Sequence, residues 1–147
     1  MKIAIASPQD TVPIDRRALR RVVQTVLDGE DVTDAEISLA FVDNATIHQL
    51  NKRYLNHDEP TDILTFPLNE PGARKLAGEL VIGAEVASAQ AQERAHDVQA
   101  ELALYVIHGL LHLCGFNDKS TNAVAAMRER ERHYLSLLGL PDIAERE

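Results

Sequence analysis

The sequence predicts a single α+β domain, a small four-stranded mixed sheet packed with about five helices. Three observations carry that reading. Short alternating or apolar runs suited to strands occur at residues 2–6, 36–43, 62–67 and 79–83. Segments with helical spacing of apolar residues lie between and after them, in the order β-α-β-α-β-β-α-α-α. One of these, VQAELALYVIHGLLHLC, is apolar nearly all round and is therefore expected at the centre of the domain.

KIAIA (2–6) alternates and reads as a short strand. Asp15 is placed to cap a helix to about Leu27, with Leu19, Val22, Val23 and Val26 inward and Gly29 ending it. EISLAFVD (36–43) is a strand with Ile37, Leu39 and Phe41 on one side. Asp43 or Asn44 then caps a helix through about Tyr54, burying Ile47, Leu50 and Tyr54. Residues 55–61 read as a loop, DILTFP (62–67) as a strand stopped by proline, and 68–78 as a polar turn region before the strand ELVIG (79–83). AEVASAQAQERA follows as a helix, Asp97 caps the apolar one, and Gly115 sits where a left-handed C-terminal cap would fall. A last helix runs from about Thr121 to Leu138 and closes at Gly139 and Pro141.

At 147 residues the chain fits one domain spanning 1–147 with a core able to fold without staples. No apolar run approaches the ~20 residues that cross a bilayer, and MKIAIASPQD is too short and too soon polar for a signal peptide. A single cysteine, Cys114, excludes an internal disulfide. A cytoplasmic protein without membrane association is expected. The net charge of −8, from 23 acidic and 15 basic residues, argues against non-specific coating of nucleic acid. Local contacts stay open through Arg16, Arg17, Arg20 and Arg21, and through Lys52 and Arg53, although a solvated helix face explains each cluster as well.

The chemistry concentrates in HGLLHLCGFND (108–118). His108 and His112 are separated by roughly 400° of helix, a net 40°, so they share one face. Gly115 permits a sharp reversal, which brings Asp118 back toward that face. Two imidazoles and a carboxylate make a three-ligand site with positions left for water, the form of catalytic zinc sites. Two satisfied core histidines, with Asp118 only capping the last helix, is the alternative. Cys114 lies roughly 200° from His112 and reads as a core residue. Zinc peptidases of the H-E-x-x-H type carry glutamate directly after the first histidine. Here that position is Gly109, so such a peptidase is not expected.

HGLLHLCGFND closely resembles the HGxLHLxGYDH motif of the YbeY family, bacterial metal-dependent endoribonucleases of ribosomal RNA maturation. PTDILTFP (60–67) resembles that family's PTDVLSFP, GELVIG (78–83) its GDIVIS strand, and AHDVQAELALYVIHGLLHL the helix that presents the ligands. The resemblance covers most of residues 36–138. It implies an α+β fold, one zinc ion per chain held by His108, His112 and Asp118, and partners in ribosomal RNA and the small ribosomal subunit or its assembly factors. The chain departs from the pattern twice. Position 118 is Asp where the family has its third histidine, and Leu55 stands where an arginine usually follows the tyrosine matching Tyr54. Aspartate reaches zinc at a similar distance, but its charge weakens the ion as a Lewis acid and relaxes preference toward manganese.

Three further residues are candidates for catalysis. Thr61 and Asp62 open the third strand, where a polar pair lines the pocket or merely satisfies loop backbone. Glu101, nearly two turns before His108, points along the ligand face and is read as a proton relay, a ligand-orienting group or a surface residue. His57 and His96 are expected in exposed loops, and His133 is the next histidine to consider as a third ligand. The leading reading is a metal-dependent endoribonuclease of ribosomal RNA processing. The alternative is a non-catalytic ribosome-assembly factor whose metal is mainly structural; the negative charge, Leu55 and the missing general base favour it.

Overall fold

Alternation along AEISLAFV puts Ile37, Leu39 and Phe41 on one face of strand β2 (Ala35–Val42), and all three are buried. β2 pairs in parallel with β1 (Lys2–Ala6) on one side and with β4 (Leu76–Gly83) on the other. β3 (Ile63–Pro67) closes the sheet antiparallel to β4, giving the order β1-β2-β4-β3. The computed structural model describes residues 1–55, 62–69 and 74–144, and the side chains of all of these but Tyr54 and Leu55.

The helices begin where short polar side chains can take up free amide groups. Asp15 Oδ1 accepts from Ala18 N at 3.1 Å to start α1 (Arg16–Gly29), and Asp43 Oδ1 accepts from Thr46 N at 2.8 Å to start α2 (Asn44–Leu55). α3 (Ala84–Glu93) follows β4 without a loop. Asp97 caps α4 (Val98–Leu113) through Gln99 N at 2.9 Å, and Ser120 caps α5 (Thr121–Leu137) through Ala123 N at 3.1 Å. Gly115 takes the left-handed conformation expected of it, at φ +107°.

α4 is the axis of the domain, buried from Ala100 through Ile107 and again at Gly109, Leu110 and Leu111, with α1, α3, α5, β3 and β4 packed around it. The opposite sheet face carries a smaller apolar cluster of Val42, Ile47, Leu64 and Val81 beneath α2. Along β3 the side chains therefore divide: Leu64 and Phe66 join that cluster, while Ile63 and Thr65 face α4.

One element differs from expectation. β4 begins at Leu76, inside the region read as a polar turn, with Ala35–Ile37 paired to Leu76–Gly78. Gly78 weakens the strand signal, yet a Cβ there would meet Leu113 Cδ1 at 2.6 Å. The glycine admits the end of α4 against the sheet, and pairing with β2 overrides local propensity. Of the expected inward residues of α2, Ile47 is buried and Leu50 is half-buried.

Candidate metal centre

α4 delivers His108 and His112 to the same edge of the domain, beside β3. Their ring centroids lie 4.6 Å apart at 79°, and the two Nε2 atoms face one another at 3.1 Å. The reversal at Gly115 returns Asp118 to this edge, so that one ligand atom from each of the three residues lies within 4.8 Å of the others. Among the described residues this is the one group of three or more candidate ligands so arranged. They open onto a cavity of about 400 Å³ that Asp62, Ile63, Thr65 and Pro67 complete.

The nitrogen geometry fits a metal. His108 Nδ1 lies 2.7 Å from Oε2 of Glu131, whose other oxygen accepts from Arg128 Nη1 at 2.8 Å. A carboxylate can only accept, so Nδ1 holds the ring proton and Nε2 presents its lone pair toward His112. Two nitrogens on one tetrahedral zinc at ~2.0–2.1 Å are separated by roughly 3.3–3.4 Å, close to the distance here. Burial and the nearby His108 ring hold the His112 pKa below the usual histidine value, against the pull of Asp118 and the Phe116 backbone. The neutral, ligating form is thereby favoured.

Asp62 lines the cavity; Thr61 and His57 lie outside the described residues. Glu101 is neither a surface residue nor part of the pocket. Its carboxylate is fully buried between His96 Nε2 and Arg94 Nη1, the latter at 3.4 Å. Arg94 also donates to Ile143 O at 2.7 Å, so this cluster pins the C-terminal segment to the start of α4. The helical-face reading failed because Glu101 sits roughly 10 Å along the axis from His108, where a different set of neighbours encloses it. His96 is correspondingly half-buried, not exposed. Cys114 opens on a separate cavity with Glu30 and Arg74, and burial pushes its thiol up to about 11. His133 is exposed on α5 against Tyr134 and does not reach the group.

The basic cluster of α1 is remote from the cavity. Arg16, Arg17, Arg20 and Arg21 are exposed, and Arg20 Nη1 donates to Ile3 O at 2.7 Å, on the β1 edge of the sheet. β3 forms the other edge, three strand spacings or about 14 Å away.

Two residues escaped the sequence reading. Thr65 follows from strand alternation once Ile63 is known to face α4. Glu131 was legible as a charge on the stripe of Met127, Tyr134 and Leu135, all buried in the structure.

A family model described as Endoribonuclease YbeY matches residues 4–139. The Endoribonuclease YbeY of Syntrophus aciditrophicus is 38% identical over 144 residues, spanning 94% of this chain and 90% of the relative. That of Carboxydothermus hydrogenoformans is 38% identical over 138 residues, spanning 92% and 96%. A solution structure of a Thermotoga maritima protein superposes with a TM-score of 0.62 at 25% identity, covering 98% of this chain and 99% of that one. With the matched segment running from β1 to the end of α5, this chain belongs to the YbeY endoribonuclease family.

Proposed function

We propose that the chain is a zinc-dependent endoribonuclease that cleaves ribosomal RNA during maturation of the small ribosomal subunit, and that His108, His112 and Asp118 hold one zinc ion per chain. The observation that carries this reading is the pair of Nε2 atoms facing each other at 3.1 Å, with a carboxylate alongside, at the mouth of a cavity of about 400 Å³. Bound zinc would supply Lewis acidity toward a phosphoryl oxygen and lower the pKa of a water. The protein's own groups do the rest. The Asp62 carboxylate and Thr65 hydroxyl stand on the β3 wall of the cavity, where they can accept a proton and orient a phosphate or ribose group. Three ligands from one helix and its following turn would hold the ion beside the cavity and leave room for water or substrate. A ribosomal RNA substrate places the enzyme in the cytoplasm; among the described residues no helix is long and apolar enough to cross a membrane.

Elemental analysis of freshly purified protein tests the centre and is expected to find about one zinc per chain. Cleavage of structured ribosomal RNA by the zinc-loaded protein tests the activity, with His108→Ala/His112→Ala as control. Cleavage that survives in the control belongs to a contaminant and refutes the enzyme claim. Stoichiometric zinc without cleavage favours an assembly factor whose ion ties the end of α4 to the segment before α5.

A further inference from the structure

Glu131 stands on the inward stripe of α5 at zero exposure. A buried carboxylate is costly unless its charge is met, and here both oxygens are engaged. Arg128, one turn earlier on α5 and 23% exposed, donates to Oε1 at 2.8 Å. His108 Nδ1 lies 2.7 Å from Oε2. The guanidinium meets the carboxylate at the boundary of the core and occupies Oε1 as an acceptor, and the acceptor oxygen left facing His108 dictates which of its nitrogens carries the proton. The partner lies 23 positions away in sequence, on a different helix from the ligand it touches.

We propose that Glu131 is a positioning residue of the metal centre: it locks His108 in the Nδ1–H tautomer, aims the Nε2 lone pair at the ion and makes the ring a stronger ligand, with Arg128 holding the carboxylate in register. This rests on the reading of His108, His112 and Asp118 as metal ligands. Buried partners of this kind fix ring orientation in metal sites, and their loss typically weakens metal binding about 10–100-fold. Arg128 sharpens the consequence. In Glu131→Gln it claims the single remaining acceptor oxygen and leaves the amide NH₂ facing His108 Nδ1. That nitrogen must then accept, which moves the proton to Nε2 and blocks the ligand atom.

The test compares wild type, Glu131→Ala and Glu131→Gln by zinc competition against a chromophoric chelator, and by imidazole ¹⁵N shifts of the metal-free proteins. His108 is expected as the Nδ1–H tautomer in wild type, a mixture in Glu131→Ala and the Nε2–H tautomer in Glu131→Gln. Zinc affinity should fall roughly 10–100-fold in Glu131→Ala and at least as far in Glu131→Gln, although glutamine packs better. A merely structural glutamate makes the glutamine variant the milder of the two and leaves zinc affinity of the folded protein and the tautomer unchanged; that outcome overturns the proposal. Wild type that takes up no zinc refutes the metal centre itself, while the tautomers, read without metal, still decide whether Glu131 governs His108.

Discussion

Asp118 is where this chain leaves the motif it otherwise follows, and the structure separates the two roles open to it. Ser120, not Asp118, caps α5, with its hydroxyl accepting from Ala123 N at 3.1 Å. Asp118 is exposed, so its truncation removes little packing and should change metal-free stability by less than about 0.5 kcal/mol. Loss of one ligand in three should instead weaken zinc binding at least tenfold, or about 1.4 kcal/mol. Ser120→Ala should do the reverse, costing about 1 kcal/mol of stability while leaving zinc affinity within twofold of wild type. Asp118→His restores a ligand at ~2.0–2.1 Å and should recover binding. The assay is zinc titration of the four proteins beside chemical denaturation of their metal-free forms. Equal zinc affinity in wild type, Asp118→Ala and Asp118→His would show that the third ligand lies elsewhere.

A Cβ at Gly109 would meet Ile63 Cδ1 at 2.7 Å and Leu80 Cδ2 at 2.8 Å. Overpacking costs typically 1–3 kcal/mol against about 1 gained in helix propensity, so Gly109→Ala should lose up to about 2 kcal/mol by denaturant titration; a gain of about 1 kcal/mol, the helix propensity alone, would contradict the tight approach. Burial pushes the Cys114 thiol up to about 11, so alkylation of the native protein should be slow at pH 8 and accelerate through pH 10 to 11, later than a free thiol. Glu30 is the opposite case: burial opposes its charge, but hydrogen bonds from Tyr134 and Arg130 outweigh it and hold the carboxyl below the usual range. Its contribution is present above the unfolded value near ~4.3 and is lost as pH falls through the depressed one. Tyr134→Phe should cost about 1–2 kcal/mol near neutrality and flatten that acid limb in pH-dependent unfolding.

The elements with their own local signals were legible. Asp15, Asp43 and Asp97 each start a helix where the sequence places a cap, and Ile37, Leu39 and Phe41 share a buried face as their alternation requires. What the sequence did not carry is long-range. The order β1-β2-β4-β3 inserts a later strand between two earlier ones, and no local pattern encodes which edge a strand joins. The first residues of β4 were hidden by Gly78, whose reason for being glycine is Leu113, 35 positions on.

The same division runs through the site: His108 and His112 share one face and open on the cavity, whereas Glu101 is buried away from it. Helical spacing fixes which side chains point the same way but not what they meet. His108 and His112 are one turn apart and meet each other, so spacing alone brings their Nε2 atoms together. Glu101 points along a similar direction two turns earlier, where α4 is enclosed by Arg94, His96 and the segment at Ile143. Both buried glutamates therefore meet a histidine and an arginine, yet only Glu131 meets one that also faces the cavity. A buried charge on a helix stripe is thus a signal that something on the far side answers it. Where that answer is a histidine already suspected as a ligand, as for Glu131 and His108, the pair orients the site; for Glu101 and His96 it joins the Arg94 contact that holds the segment at Ile143.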